Sequence, residues 1–347
     1  MSFISGGTSF GRTSINRGVS LIESMAATGY VDSETTITGE DGVAYKTRRF
    51  EQGTSTFTPT GNGQIQYLIV AGGGSGGGGN FSGGGGGGGF RTNVTGQTNP
   101  DSQALDALLD VTSGTTYTVV VGDGGAATGD NADGNNGYDS SITGSGITDS
   151  GGTNSIVANG GGGGGGYANG IGGMDGEDGG SGGGAERSAG NGQGAGTAMT
   201  SPTTQGRNGG GAGSYTNNSS GGGGGGASGV GRTVPSANAH MWAPYGGGGK
   251  SSPILTGSNI TYAGGGGGAN KYLYASNSST KMGAPGGAGG GGFGGCDGYP
   301  SYGSWTKNAT AGTDELGGGG GGSADTSGAN SRFKGGSGIV IIRWQYE

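Results

Sequence analysis

The chain has 347 residues and a formal net charge of −7; 101 residues are glycine, 28% are hydrophobic and 11% are charged. Typical domains contain roughly 45–50% apolar residues, so the hydrophobic side chains are too few for a conventional core of this length. The negative charge, without a lysine or arginine cluster, argues against nucleic acid or an anionic membrane surface as a partner.

Residues 1–64 differ in composition from the rest and predict a small N-terminal module that contains β-strands. Ser20–Thr28 begins with a capping serine and stops before a glycine, which predicts a short helix. Residues 43–51 and 54–60 have strand-like patterns. The Gln52-Gly53 pair between them predicts a hairpin.

Three apolar segments give the strongest strand signals, namely Tyr67–Val70, Thr116–Val121 and Gly338–Trp344. They are strand-length, so no segment predicts membrane insertion. Because they bracket the glycine-rich region, they predict one small sheet that ties its ends together. The single cysteine, Cys296, excludes an intrachain disulfide framework and a cysteine-rich metal site.

Glycine runs alternate with polar loops throughout residues 65–347. A run without side chains cannot bury apolar surface, hold an α-helix or gain from an ordinary strand. It is therefore either disordered or part of a structure that only glycine can form. The runs are 72–79, 83–89, 160–166, 179–184, 209–213, 221–226, 246–249, 264–268, 286–295 and 317–322.

Several structural interpretations of these glycine runs are possible. Collagen needs glycine at every third position with proline-rich partners, and this chain has only 8 prolines. RNA-binding glycine segments need adjacent arginines, which the runs lack. A flexible linker stays an alternative, although strand-like segments punctuate the runs. Polyglycine-II helices can instead pack side by side and exchange backbone hydrogen bonds.

We therefore expect a mainly irregular and β fold, in which a bundle of about ten packed polyglycine-II helices is joined by variable loops and tied by a small β-sheet. The glycines expected to pack inside this scaffold are Gly83, Gly86, Gly89, Gly160, Gly163, Gly166, Gly221, Gly224, Gly264, Gly267, Gly317 and Gly320.

Four segments give the glycine-rich region a family resemblance. They are residues 67–74, 116–122, 259–268 and 335–344, the last closing with Gly-Ile-Val-Ile-Ile-Arg-Trp. The region resembles the glycine-rich domain of bacteriophage virion fibre proteins. It is also similar in construction to the tail-fibre-tip adhesins of T-even-like phages. The resemblance covers roughly residues 65–344 and implies stacked polyglycine-II helices that present variable loops to host surface receptors.

No sequence motif predicts catalysis, a cofactor or a metal. Gly246–Gly249 before Lys250 resembles a phosphate loop, but Pro253 disfavours the helix that should follow. A histidine-based triad would depend wholly on His240, the single histidine. We therefore predict that the protein is not an enzyme. Four aspartates in a glycine-rich stretch miss the EF-hand calcium spacing: Asp123, Asp130, Asp133 and Asp139.

Many of the aromatic residues lie in the loops between glycine runs. Tyrosine, serine, asparagine and glycine are typical of binding loops, and loops on a rigid scaffold often carry function. The alternative is that the aromatics shield the ends of the scaffold from water. An up-and-down arrangement would place alternate loops at opposite ends. The candidate receptor-binding residues are Trp242, Tyr245, Tyr272, Tyr274, Tyr299, Tyr302 and Trp305.

We expect a non-enzymatic adhesin on the phage particle surface that recognises a bacterial outer-surface protein or glycan. Residues 1–64 would attach it to other virion proteins of the tail fibre, tail or capsid, and residues 65–347 would carry the receptor-facing loops. Two alternatives stay open. One is a capsid or tail decoration fibre without a specific receptor, and the other is a disordered glycine-rich cell-wall or matrix protein.

Overall fold

The computed structural model describes residues 22–39, 41–129, 131–149, 154–167, 174–187, 195–212, 219–234, 244–273, 283–298, 306–324 and 333–346. In these ranges it contains strands and one 3₁₀ turn, Pro100–Ser102, but no α-helix. No helical segment in these ranges has the length and apolar content of a membrane span.

The strands are numbered in chain order. They are β1 Met25–Thr28, β2 Thr35–Thr38, β3 Ala44–Phe50, β4 Gly53–Pro59, β5 Gly63–Val70, β6 Phe90–Thr92, β7 Leu109–Val111, β8 Tyr117–Val121, β9 Ser140–Thr143, β10 Ser155–Ala158, β11 Ser219–Ser220, β12 Lys250–Ser252, β13 Ile260–Tyr262, β14 Asn270–Leu273, β15 Cys296–Gly298, β16 Thr306–Lys307 and β17 Ile339–Gln345.

Two antiparallel sheets form a sandwich. The first has the order β1-β4-β8-β9-β10, and the second has the order β2-β3-β17-β5-β6 with β7 also paired to β5. Their inner faces meet in one hydrophobic cluster. The first sheet contributes Phe57 and Tyr117, whose rings stack at 4.9 Å, and the second contributes Tyr67, Ile342 and Trp344.

The second sheet is buried on its other face as well. There Leu68, Val70 and Ile341 pack in a separate cluster with Ile254 and Tyr262, which belong to the β12–β13 hairpin and its turn. Burial on both faces explains why Tyr67–Val70 of β5 and Ile339–Ile342 of β17 are continuously apolar and not alternating. The β12–β13 hairpin is the third sheet. The fourth sheet is small and has the order β11-β14-β15-β16, in which β14 and β15 are parallel.

The glycine run 83–89 lies at the centre of a dense network of backbone hydrogen bonds. Gly83, Gly86 and Gly89 donate to segment 159–165, while Gly84 and Gly87 donate to segment 222–225. The remaining two donate to segment 317–320, so every third residue returns to the same neighbour. Carbonyl groups of the run accept from three further segments: 71–77, 181–184 and 263–266. We call this run and its six neighbours the glycine core.

Side chains close one edge of the glycine core. The side chains belong to every third residue, and their oxygens accept hydrogen bonds from backbone N–H groups of a glycine segment. In the rest of the core, the carbonyl group of another segment accepts such a bond. The N···O distance is 2.8 Å in each pair, and the pairs are Asp133 with Gly166, Asn136 with Gly163 and Asp139 with Gly160.

The expected bundle of about ten polyglycine-II helices tied by one small sheet is wrong. In the described residues the chain is nearly all β, with four sheets in place of one. The sequence reading underestimated the strands because short serine- and threonine-rich ones, such as β9 and β12, have no apolar run to mark them. The glycine segments are connections between these strands, held to one another by backbone bonds.

Three local expectations are also corrected. Ser20–Thr28 is not a helix in its described part, because Met25–Thr28 pairs with β4 and Met25 is buried. β3 and β4 do not form a hairpin, since β3 pairs with β17 and β4 with β8. β5 and β17 do pair, but β8 lies in the other sheet of the sandwich.

The division of the chain at residue 64 stays a prediction. Strands on both sides of that boundary belong to the same sheets, because β3 and β4 precede it while their partners β17 and β8 follow it.

Replacing a glycine of the core should be far more costly than replacing one at its margin. A methyl group on Gly86 would overlap the carbonyl oxygen of Ser181, whereas one on Gly248 would meet only the Ser228 hydroxyl at 3.7 Å. We expect Gly86→Ala to lower the free energy of unfolding by at least about 3 kcal/mol, because the packed backbone cannot move aside. Urea unfolding measures this. Equal stability of Gly86→Ala and the control Gly248→Ala would contradict the packing.

Candidate functional site

The two ends of the glycine core differ. Seven of the segments outside the described residues in the glycine-rich region are flanked by described residues that lie at the end of the core where Gly83 is found. We call this the loop end, and the opposite end, where Gly89 leads into β6, the sandwich end. The seven segments are 168–173, 188–194, 213–218, 235–243, 274–282, 299–305 and 325–332.

Backbone hydrogen bonds place these flanking residues. Tyr167 donates to Gly78, and Arg187 donates to Phe81 in the turn that precedes Gly83. Phe333 accepts from Gly76. The flanks of the other segments are joined by the small β11-β14-β15-β16 sheet and by the bond from Val234 to Gly211.

Short turns occupy the sandwich end. The turn at 200–204 returns to Gln205, which accepts from Phe90 of β6, and the turn at 313–316 ends at Leu316, which accepts from Ala263. Successive described segments alternate in direction. The returns at 200–204 and 313–316 are short, whereas the connection 93–108 between β6 and β7, also on the sandwich side, is longer.

Tyr245 is the one candidate receptor-binding residue whose side chain the structure describes. Its ring is 44% exposed, and the Arg232 guanidinium lies over it at 4.7 Å from the ring centroid. Arg232 also donates its backbone N–H to the Tyr245 carbonyl. Tyr272 lies in β14 at the loop end. The remaining candidates lie outside the described residues: Trp242, Tyr274, Tyr299, Tyr302 and Trp305.

The twelve candidate scaffold glycines all lie in described segments, and a methyl group on any of them would overlap an oxygen atom of a neighbouring segment. In eleven cases that atom is a backbone carbonyl oxygen, and at Gly89 it is the side-chain oxygen of Gln205. These positions therefore have room for hydrogen only.

Sequence reasoning missed a small cluster at the loop end. Phe81 is 8% exposed and lies in the turn between two glycine runs, with a positive φ of 60°. Its ring meets that of Tyr167 edge-on at 6.3 Å, and the Arg187 guanidinium lies 5.3 Å from its centroid. The cluster shields the ends of two core segments from water. Its sequence signal is a lone aromatic residue in a three-residue turn.

A buried carboxyl group lies beside this cluster. Glu186 is fully buried, and neither of its carboxyl oxygens has a hydrogen-bond partner. Burial raises the pKa of Glu186 to about 9. Burial also raises the pKa of Asp133 and of Glu177. Part of this end is therefore uncharged at neutral pH despite its acidic composition.

The described residues offer no arrangement for catalysis at the loop end. Within them, no group of three or more histidine, cysteine, aspartate or glutamate side chains is placed to hold a metal ion. Gly246–Gly249 leads into strand β12 and not into a helix, so it lacks the geometry of a phosphate loop. His240 lies outside the described residues. The described part of the loop end contains aromatic rings, arginine side chains and backbone groups, and backbone hydrogen bonds join it to the glycine core.

Comparison with known protein families matches residues 50–345 to a glycine-rich domain. The chain belongs to this glycine-rich domain family. The match begins at the last residue of β3 and ends in β17, so it includes the glycine core and the sandwich strands from β4 onward, but not β1 or β2. A search of curated proteins found no significant match.

Glu186 should make stability depend on pH. The pKa of Glu186 is raised from 4.5 in the unfolded chain to about 9 in the folded protein. The free energy of unfolding is therefore highest below pH 4.5, where the carboxyl group is neutral in both states, and it falls as the pH rises towards 9. Glu186→Gln removes this loss. We expect the variant to be more stable than the wild type by about 2–3 kcal/mol at pH 7, and to gain nothing at pH 4.

Urea unfolding at several pH values measures the difference. Glu23→Gln, at an exposed position, serves as the matched control. A difference between Glu186→Gln and wild type that stays constant between pH 4 and pH 9 would refute the role of Glu186.

Proposed function

We propose that this chain is a non-enzymatic adhesin of a bacteriophage virion, whose loop end recognises a bacterial outer-surface protein or glycan. Residues 1–64 attach it to other proteins of the particle. One observation carries the proposal: described residues that flank seven interruptions of the glycine-rich region lie at one end of the glycine core, while the sandwich lies at the opposite end.

The rigidity of the glycine core supports this proposal. A binding loop loses less entropy when its base is fixed, and here the bases are joined by backbone hydrogen bonds and by a small sheet. The described segments of the core are joined by backbone hydrogen bonds, so we expect variation in the loops to leave the core intact. A molecule that must recognise changing surfaces benefits from this separation.

Loop composition supports a recognition role as well. Tyrosine and tryptophan provide contact area at low conformational cost, and serine, asparagine and glycine provide adaptable hydrogen bonds. At the described part of the loop end, Tyr245 combines an exposed ring with an arginine stacked on it. Aromatic and arginine side chains are the types most enriched among binding hot spots.

Replacing loop-end segments tests the proposal. Virions that carry the chain with residues 235–243 and 274–282 changed to glycine-serine segments of equal length should adsorb to host cells at least about tenfold more slowly, because hot-spot contacts contribute 2 kcal/mol or more. The matched control changes the exposed sandwich-end turn 112–115 in the same way and should leave adsorption unchanged.

Circular dichroism and particle composition establish that each variant folds and is incorporated. Unchanged adsorption by properly assembled loop-end variants would favour a decoration fibre without a specific receptor.

A further inference from the structure

A cavity of about 410 Å³ lies on the flank of the sandwich end, away from the loop end. Tyr67 of β5, Arg91 of β6 and Ile156 of β10 are buried at its floor. Its walls are the segments 103–110 and 146–149, closed by Pro202 and Thr203. Its volume is within the range of small-molecule sites, about 300–1,000 Å³.

Arg91 lines this cavity but has no hydrogen-bond donor to offer a ligand. A guanidinium has five N–H groups. Nε donates to Asp106 Oδ2, Nη1 donates to Asp149 Oδ2 and to the Val157 carbonyl, and Nη2 donates to Asp149 Oδ1 and contacts Asp106 Oδ2, all at 2.6–3.2 Å. Every N–H is therefore used within the protein, which disfavours anionic ligands.

The carboxyl groups leave the cavity negative. Asp106 and Asp149 together outweigh the one charge of Arg91, and Asp110 also lines the wall. Both paired aspartate side chains are still 11% exposed. Tyr67 donates to Asp106 Oδ2 at 2.8 Å, whereas Asp106 Oδ1 receives only a long bond of 3.3 Å from Asn99. Ionised carboxylates only accept hydrogen bonds, so the cavity suits a ligand that donates them.

The remaining wall is apolar. Leu105, Leu108, Ile156 and Pro202 line it, and Leu108 is 42% exposed at the rim. A compact carbon skeleton fits against this wall while a donor group reaches the carboxylates. Tyr67 on β5 and Arg91 on β6 are both buried, and Arg91 is held by its hydrogen bonds to Asp106 and Asp149, so the polar floor is organised before any ligand arrives.

We propose that this cavity binds a small amino sugar, with its ammonium group against Asp106 and Asp149 and its ring against Leu105 and Leu108. The ammonium supplies both the positive charge and the donors that the floor lacks. This site is separate from the loop end and does not depend on the function proposed for it.

Three ring compounds of similar size test this proposal in calorimetric and NMR titrations of the full chain. Glucosamine should bind and shift the methyl signals of Leu105 and Leu108, and its affinity should fall with added salt. Glucose should bind at least about tenfold more weakly, since it lacks the charge, and glucuronate should not bind.

Leu108→Arg places a guanidinium at the rim, where it should compete with the ammonium and weaken glucosamine binding at least about tenfold. Phe293→Arg is the matched control, because Phe293 is 43% exposed and is not among the cavity residues. Thermal unfolding establishes that both variants fold. Binding of glucuronate as tight as that of glucosamine, no binding of glucosamine, or unchanged binding by Leu108→Arg would each overturn the proposal.

Discussion

The backbone hydrogen bond between glycine segments is the interaction on which this structure depends. Each such bond contributes only about 0.5–1.5 kcal/mol net, and ordering a glycine costs more conformational entropy than ordering any other residue. The glycine core offsets this cost by bonding in three directions from every segment, where a sheet bonds in two. Only hydrogen fits between the segments, because any methyl group at the candidate scaffold positions would overlap an oxygen atom of a neighbour.

The sandwich and the glycine core have complementary roles. The core contains almost no side chains that could choose one neighbouring segment over another. The sandwich supplies that choice, since β5, β6, β8, β9, β10 and β17 each continue directly into a glycine segment and fix where it starts or ends. The pairing of the strands, which have distinct side chains, therefore sets the register of the glycine segments, which have none. The described residues that flank the seven segments of the loop end lie at the end of the glycine core opposite the sandwich.

The strands with apolar runs or clear alternation could be predicted from the sequence, and β3, β4, β5, β8 and β17 lie where those patterns occur. Their partners could not, because pairing depends on long-range contacts that a local pattern does not encode. The short polar strands and the neighbours of each glycine run had no apolar signal. The spacing of Asp133, Asn136 and Asp139 was a readable sign of a repeat of three, but the aspartates were compared only with the EF-hand calcium spacing. At the candidate site, Arg232 was missed because a single arginine has no pattern, and Tyr245 is the one predicted contact whose side chain is described.

Amide hydrogen exchange measured residue by residue tests the central claim most directly, namely that the glycine core is an ordered network of backbone bonds. The amides of Gly83–Gly89 all donate to neighbouring segments. Their protection should match that of β5 and β17 and approach the free energy of global unfolding. Gly96 and Gly129, which are exposed, provide the internal reference for fast exchange. Exchange of the Gly83–Gly89 amides as fast as that of these two glycines would contradict the account.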